Sequence, residues 1–416
     1  MTLDSVLYGL AIVSSVVAIS FLLVVNVSYL SLTGIAIAQL RKQIRLDSFD
    51  PVGELQSNHF LPGVALIVPA YNEEKIVVDT LESLLALDYP NHEVILVNDG
   101  STDDTLSVVR DAFDLERVDA EYPVDLNCKP VHAIYRATDR DLVLIDKANG
   151  GKADALNAGV FFTDQRLFCS IDADSMIERG ALKDVVGPFL ERPERTVATG
   201  GAVRIANGCT FRNGQLTDVD LPKNRLVRFQ SVEYLRAFLL GRIGLSNINS
   251  LLLISGAFGM FKTDVIREMD GYDTDSITED LEIVVRLQRY MMDSDTEYEV
   301  TFLPRPVAWT EAPASWRVLS RQRRRWFRGL IDTLIKHRDA IGRPRYGVIG
   351  LFALPFYLFV EAIGPLVEAL GYVLVPLFFL TGLLGTQFFG TFLVIAIGLF
   401  FTVANARLSD RFRAEE

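Results

Sequence analysis

The chain has 416 residues, half of them hydrophobic, and carries a formal net charge of -12 at pH 7. This length exceeds one ordinary domain, and the acidic balance argues against a general nucleic-acid binder. The three cysteines have no paired spacing and the four histidines are scattered, so neither a disulfide framework nor a zinc site is predicted.

The first element along the chain is a stretch without charged side chains, residues 5–40. About 20 apolar residues cross a bilayer as a helix, so the stretch predicts one long or tilted membrane anchor. It is longer than the apolar part of a secretory signal, and we expect the anchor to be retained. Basic residues follow it at Arg41, Lys42 and Arg45, and by the positive-inside rule they place the polar middle of the chain in the cytosol.

Short apolar runs rich in β-branched residues indicate buried strands in the polar middle. Two of these runs, residues 64–68 and 94–97, flank a segment with helical spacing at residues 73–87. This strand, helix, strand order predicts a doubly wound α/β sheet. In such a sheet the loops beyond the carboxyl ends of the strands form the ligand crevice.

A third apolar run, residues 167–171, ends in two carboxylates, Asp172 and Asp174. Side chains alternate along a strand, so both carboxylates lie on one side, where they suit a hard cation such as Mg²⁺ or Mn²⁺. An isolated Asp-x-Asp is common on solvated turns, and its place after a third strand favours the metal site. Two glycines and Lys152 come before this run. The lysine can meet a phosphate charge, and the alternative is a hairpin turn with a surface lysine.

Two further acidic sites have a structural as well as a functional interpretation. Asp99 follows the second strand, and Ser101 with Asp104 is typical of a capping box that opens the next helix. Residues 278–280, Thr-Glu-Asp, are typical of a helix start, because a threonine cap and acidic first-turn residues both stabilise one. Such a helix start is compatible with a functional carboxylate.

A basic segment later in the chain contains Gln322, Arg325 and Trp326 at helical spacing, so one face presents an amide, a guanidinium and an indole. Arginine suits a diphosphate, and tryptophan offers a platform for a sugar ring. The neighbouring arginines also indicate an amphipathic helix at an anionic membrane surface. We expect both interpretations to hold together.

The last apolar region, residues 346–404, contains only two charged residues, Glu361 and Glu368. It is long enough for two or three spans, and the arginines of the tail beyond it favour two. Carboxylates in lipid are costly, so we expect both glutamates to face a polar passage or a partner. The alternative is a position at the headgroup level.

Taken in order, these motifs resemble those of the membrane-embedded family 2 glycosyltransferases, which include the synthases of hyaluronan, chitin, cellulose and poly-N-acetylglucosamine. The resemblance covers residues 64–329 and the flanking membrane segments. The matching motifs are residues 69–73 and 98–101 for nucleotide binding, Asp172-x-Asp174 for the metal, residues 278–280 for the base, and Gln322-x-x-Arg325-Trp326 as the terminal signature. The resemblance implies an α/β fold: a Rossmann-like, nucleotide-sugar-binding cytosolic domain of the GT-A type with flanking transmembrane and interfacial α-helices.

The resemblance also implies roles for individual residues. Asp280, with Glu279 beside it, is the catalytic base that takes a proton from an acceptor hydroxyl, and attack opposite the diphosphate inverts the anomeric centre. Asp172 and Asp174 hold Mg²⁺ or Mn²⁺. Donor-binding residues are Tyr71, Glu73, Asp99, Lys152, Asp172, Gln322, Arg325 and Trp326.

Acceptor binding is implied for Trp326 and for the loop at residues 255–259, which contains Gly256 and Phe258. A glycine turn in the core is the alternative for that loop. The predicted domains are a transmembrane anchor (1–45), a cytosolic glycosyltransferase domain (46–312), amphipathic interfacial helices (313–345), C-terminal transmembrane helices (346–405) and a cytosolic tail (406–416).

The implied activity is that of a metal-dependent inverting hexosyltransferase that extends a β-linked polysaccharide from a UDP-sugar, with UDP-N-acetylglucosamine favoured, and couples extension to export. Bacterial cellulose synthases carry a further cyclic-dinucleotide-binding domain, so cellulose is less expected, provided that the natural chain is not longer. Alternatives are single addition to a lipid acceptor, or a catalytically silent scaffold or nucleotide-sugar sensor. We expect a multi-pass protein of the inner (plasma) membrane whose partners are the UDP-sugar, the growing polysaccharide or lipid acceptor, membrane lipids and accessory membrane subunits.

Overall fold

The computed structural model describes residues 3–46, 61–119, 128–212 and 215–395. Its strands are β1 (Val64–Ala70), β2 (His92–Asp99), β3 (Glu116–Val118), β4 (Val131–Arg136), β5 (Leu142–Lys147), β6 (Leu167–Ile171), β7 (Met176–Ile177), β8 (Thr196–Ile205), β9 (Thr210–Arg212), β10 (Gln215–Asp218), β11 (Phe258–Lys262) and β12 (Glu299–Thr310).

The helices up to residue 293 are α1 (Leu3–Leu46), α2 (Val77–Leu85), α3 (Thr105–Ala112), α4 (Lys152–Phe162), α5 (Ala181–Glu191), α6 (Arg225–Leu235), a π-helical segment (Arg236–Arg242), α7 (Ile243–Asn247), α8 (Thr263–Glu268) and α9 (Glu279–Asp293). They are followed by α10 (Trp316–Lys336), 3₁₀ turns (Arg338–Ala340 and Pro344–Tyr346), a π turn (Ile349–Ala353), α11 (Leu354–Phe356), a π turn (Tyr357–Ile363), α12 (Gly364–Leu380) and α13 (Thr386–Ile395).

Ten of the strands form one mixed sheet in the order β3-β4-β5-β2-β1-β6-β11-β8-β12-β7. Strands β5, β2, β1 and β6 are mutually parallel at its centre, and β11 joins β6 in the antiparallel sense. The central strands are buried on both faces, which explains why each of them is a continuous apolar run in the sequence. The predicted α/β fold and its three strands are therefore confirmed.

Two local predictions on this side of the sheet need correction. Helix α2 begins at Val77, four residues later than predicted. The residues before it form a turn in which the N–H of Glu73 donates to Thr105 Oγ1 (2.9 Å), a contact that bridges two loops. Ser101 does not cap α3. Its hydroxyl oxygen accepts the N–H of Asn72 (3.0 Å), and α3 begins at Thr105 without a side-chain cap.

Two helices are long and apolar enough to cross a membrane, at Ala11–Gln39 and Ile349–Leu380. They pack against each other through small and aliphatic side chains such as Ala18, Leu22 and Val375. Helix α13 is a shorter apolar helix, and residues 396–416, which include the predicted tail at 406–416, lie outside the described residues.

Glu361 has a partner within the chain, because it accepts a hydrogen bond from Tyr29 Oη of α1 (2.7 Å). This contact joins the two long apolar helices. The π-helical segment Arg236–Arg242 and α7 also lie against α1, while α10 packs on α9. The sheet and the apolar helices are thereby connected through a layer of short helices.

Candidate active site

A cleft of about 1490 Å³ opens at the carboxyl ends of β1, β2 and β6 and extends to the apolar helices. The predicted site residues that line it are Tyr71, Glu73, Asp99, Lys152, Asp172, Asp174, Gly256, Glu279, Asp280, Gln322, Arg325 and Trp326. Phe258 is the exception. It begins β11 opposite Ile171 and its side chain is fully buried in the core, so Phe258 is removed from the acceptor-binding set.

Asp99 shapes the loop that precedes α4. Its Oδ1 and Oδ2 accept the N–H groups of Gly150 (2.9 Å) and Gly151 (2.8 Å). Oδ1 is also 2.7 Å from Nζ of Lys147, a fully buried side chain that pairs with Asp154 as well (2.5 Å). Lys147 and Asp154 were not among the site residues predicted from the sequence. The sequence did contain a signal for a buried ion pair, namely a lysine at the end of an apolar strand, because lysine is almost never fully buried without a partner.

Lys152 connects three walls of the cleft. Its Nζ lies 2.6 Å from Asp172 Oδ1, 2.6 Å from Glu279 Oε1 and 3.4 Å from the carbonyl oxygen of Gly256. Burial alone would lower the pKa of this lysine, but the two carboxylates outweigh burial and raise it. The lysine therefore stays charged and begins α4, so the hairpin-turn alternative is wrong.

Asp172 and Asp174 face the same cleft on either side of a buried alanine. Burial and then the neighbouring charge of Asp172 raise the pKa of Asp174. Glu73 lies close enough to Asp174 that burial and this second carboxylate raise its pKa too. Such crowding of negative charge is relieved by a bound cation.

Among the described residues no cluster of three or more His, Cys, Asp or Glu side chains is placed to hold a metal ion. Mg²⁺ sites that share their ligands with phosphates need only one or two carboxylates, and Asp172 and Asp174 fit that requirement. Asp172 is engaged by Lys152, so a cation there would share or replace that ion pair.

Asp280 lies in the first turn of α9. Its Oδ2 accepts the N–H of Gly256 (3.2 Å), and its Oδ1 accepts the N–H of Leu281 (2.9 Å). Burial, and then the charge of Glu279, raise the pKa of Asp280 to about 6. Burial also acts to raise the pKa of Glu279, but the ion pair with Lys152 lowers it. The pKa values of the two adjacent carboxyl groups therefore differ. Such a difference is found in sites where one carboxyl group of a pair exchanges a proton during the reaction.

Helix α10 contributes Gln322, Arg325 and Trp326 to the opposite wall of the cleft. The ring of Trp326 is covered by the guanidinium of Arg323, whose Cζ lies 4.6 Å from the ring centroid. Arg323 in turn donates two hydrogen bonds to Glu233 of α6 (2.6 and 2.8 Å). This arginine therefore supports the indole, whereas the sequence suggested that it meets the membrane surface.

Gly329 marks the closest approach between α10 and the start of α9. A Cβ atom at this position would lie 2.2 Å from both Cγ2 and Oγ1 of Thr278. Thr278 occupies the cap position of α9, as predicted, but makes no capping hydrogen bond. A glycine is thus required where the helix of Trp326 meets the residue just before Glu279 and Asp280.

The chain was compared with known families and proteins. The family "Glycosyltransferase like family 2" matches residues 62–329, and a domain of unknown function (DUF7319) matches residues 356–416. Relatives named poly-beta-1,6-N-acetyl-D-glucosamine synthase are 28% identical over 277 residues in Staphylococcus epidermidis and 28% identical over 279 residues in Staphylococcus aureus. Each alignment covers 66% of this chain and 56% of the relative, so the chain spans just over half the length of these relatives.

A solved structure with a similar fold is the mannosyltransferase PcManGT from Pyrobaculum calidifontis in complex with GDP-Man and Mn²⁺. The two chains share 20% identity with a TM-score of 0.51, and the match covers 94% of this chain and 99% of the other. At this identity the likeness shows the fold alone, which is of the GT-A type. Because the family match extends over more than half of the sequence, this chain belongs to glycosyltransferase family 2.

Proposed function

We propose that this protein is a membrane-bound inverting glycosyltransferase that extends a β-linked polysaccharide from a UDP-sugar, with UDP-N-acetylglucosamine as the favoured donor. The observation that carries the proposal is the position of Asp280. A recessed carboxylate with a pKa of about 6 faces the same cleft as two metal-type carboxylates and a charged lysine. The names of the staphylococcal relatives favour N-acetylglucosamine as the sugar.

On the donor side, Tyr71, Glu73 and Asp99 would contact the nucleoside at the carboxyl ends of β1 and β2. A divalent cation held by Asp172 and Asp174 would supply positive charge to the departing diphosphate. Lys152, Gln322 and Arg325 face the same region, and their donors would stabilise the negative charge that develops as the sugar–phosphate bond breaks.

On the acceptor side, Asp280 would accept the proton of the attacking hydroxyl, and the new bond would form opposite the leaving diphosphate. A pKa near 6 leaves the carboxylate ionised at neutral pH while keeping it a better base than an exposed aspartate. Gly256 orients this carboxylate through its N–H, and Trp326 offers a face on which a sugar ring can stack.

We propose the location and domain division that the sequence suggests: an anchor at residues 1–45, a cytosolic catalytic domain at 46–312, interfacial helices at 313–345, transmembrane helices at 346–405 and a cytosolic tail at 406–416. Two long apolar helices support a membrane location. Export of the product and accessory membrane subunits belong to the same proposal, because the cleft reaches these helices at Tyr29 and Glu361.

The test is release of UDP or GDP by detergent-purified protein with a panel of radiolabelled nucleotide sugars and Mn²⁺ or Mg²⁺, followed by sizing of the product. A polymer from UDP-N-acetylglucosamine, lost in Asp280→Asn, is the expected result. One sugar added to a lipid would support single addition instead. A wild type that turns over none of the donors would refute the proposal.

A further inference from the structure

The π-helical segment Arg236–Arg242 forms a wall of the cleft between the catalytic carboxylates and helix α1. π-Helical turns are rare and are frequently found at functional sites. The last residue of the segment, Arg242, lines the cleft together with Asp280. Neither the motifs of the sequence nor the site described above gives this arginine a role.

Arg242 is a cation for which the described part of the chain provides no hydrogen-bond or ion-pair partner. Its guanidinium carbon lies 3.8 Å from the centroid of the Phe238 ring and 5.9 Å from that of Phe302, so its position is fixed by stacking. It makes no hydrogen bond or ion pair with any residue that the structure describes, and its Nη1 is buried and unpaired. Burial lowers the pKa of this guanidinium.

Three other cations in and around the site are engaged. Lys152 pairs with two carboxylates, Lys147 with two, and Arg323 binds Glu233 through both terminal nitrogens. An unpaired, largely dehydrated guanidinium costs free energy that a structure retains where a ligand completes its hydrogen bonds. Arg242 differs from these three cations, and among the described residues it is the arginine that has a buried side-chain nitrogen without a hydrogen-bond partner.

Asp280 and Arg242 line the same cleft without forming an ion pair. The charge of Arg242 opposes the rise in the pKa of Asp280, so the two groups interact electrostatically although no ion pair joins them. Tyr234 and Tyr357 line the cleft beside Arg242. Aromatic faces with a planar hydrogen-bond donor suit a sugar, whose hydroxyl oxygens accept and whose C–H faces stack.

We propose that Arg242 is an acceptor-binding residue whose guanidinium donates hydrogen bonds to oxygens of the acceptor sugar next to the hydroxyl that Asp280 deprotonates. The inference rests on the proposed function and names a contact for its acceptor. The guanidinium presents several donors in a rigid plane, so it can hold two neighbouring sugar oxygens and fix the direction of the attacking hydroxyl.

Three proteins are compared with the wild type: Arg242→Met, which keeps the apolar stem, Arg242→Gln, which keeps a donor without charge, and Arg110→Met as a matched control. Arg110 also stacks on a ring, that of Tyr135 at 4.6 Å, but it lies on α3 and does not line the cleft. The measurements are the KM for a β-1,6-linked N-acetylglucosamine pentasaccharide, the KM for UDP-N-acetylglucosamine and the melting temperature.

Arg242→Met is expected to raise the acceptor KM by about 10- to 100-fold, the size of a lost charge-assisted hydrogen bond, and to change the donor KM by less than about twofold. Arg242→Gln is expected to lie between Arg242→Met and the wild type, and Arg110→Met to match the wild type. A folded Arg242→Met with an unchanged acceptor KM would overturn the inference. So would a variant whose only change is a shifted pH profile, since the arginine would then act through Asp280.

Equilibrium dialysis of the radiolabelled pentasaccharide against wild type and Arg242→Met separates this inference from the proposed function. Weaker binding to the variant supports the contact even where no donor is turned over. Equal binding to both proteins, or no binding to either, overturns it. Selective loss of binding to a detergent-solubilised polyprenyl phosphate, with oligosaccharide binding intact, would instead assign Arg242 to a lipid phosphate and refute the sugar contact.

Discussion

A methyl group added at Gly329 would collide with Thr278, the residue that caps the helix of the proposed base. The added carbon would lie 2.2 Å from Cγ2 and Oγ1 of Thr278 and 2.7 Å from its Cβ. Non-bonded carbon atoms prefer about 3.5–4.0 Å, so α10 and the start of α9 must separate by more than about 1 Å. Because Glu279 and Asp280 follow directly, the base moves relative to Trp326.

A misplacement of about 1 Å can cost about 100-fold in rate, so Gly329→Ala is expected to lower kcat/KM by about two orders of magnitude. Overpacking of this kind costs about 1–3 kcal/mol of stability, which leaves a folded protein. The assay is UDP release at several donor concentrations together with a thermal melt. Gly34→Ala in α1 is the matched control, because a Cβ there meets no atom within 4 Å.

A second substitution tests the cause of the loss. Thr278→Gly removes all three clashing atoms, and glycine at a helix cap costs only a few tenths of a kcal/mol relative to threonine. The double variant Gly329→Ala with Thr278→Gly is therefore expected to recover much of the lost activity. If the two substitutions were additive, or if Gly329→Ala alone retained wild-type activity, the argument from close contact would be refuted.

Further predictions concern the charges of the cleft. Asp280→Asn is expected to lower kcat by about 10²- to 10⁴-fold while UDP binding, measured by calorimetry, is retained. In the wild type, kcat/KM should fall as the pH drops below about 6. Stability should fall as the pH rises from about 4 to 6, since the folded state holds a proton there that the unfolded state releases, and urea titrations of wild type and Asp280→Asn across this range check the sign. Lys147→Met leaves the buried carboxylates of Asp99 and Asp154 uncompensated, so we expect a loss of about 3–5 kcal/mol in urea titrations and a raised donor KM. Chelation by EDTA should abolish UDP release, and excess Mn²⁺ or Mg²⁺ should restore it; activity that survives exhaustive chelation would contradict the role of Asp172 and Asp174.

The central sheet could be predicted from the sequence because its geometry imposes a local pattern. Strands β1, β2 and β6 are covered on both faces, so each is a short continuous apolar run that ends in polar residues. Parallel pairing then brings those polar ends to one edge. The loop before Lys152 reaches Asp99 by the same rule, because it follows β5, which is parallel to β2, but β5 was not among the predicted strands.

Contacts between distant elements could not be predicted, because they depend on packing that produces no periodic pattern in the sequence around each residue. Lys147 forms an ion pair with Asp154 across a loop, and Arg323 forms one with Glu233 on a different helix. The error at Phe258 has a similar origin. The motif predicted a loop that continues to residue 259, but β11 already begins at Phe258, and the phenyl ring is buried in the core.

The position of the proposed base is determined by three separate parts of the chain. The N–H of Gly256 holds the carboxylate of Asp280, Lys152 fixes the charge of the adjacent Glu279, and Gly329 sets the distance to the helix of Trp326. None of these three residues needs to touch the proton that is transferred. Because Gly256 and Gly329 act on the geometry of Asp280, substitutions at these two positions should lower kcat before they weaken donor binding. Lys152 also faces Asp172, so its substitution should affect both kcat and the donor KM.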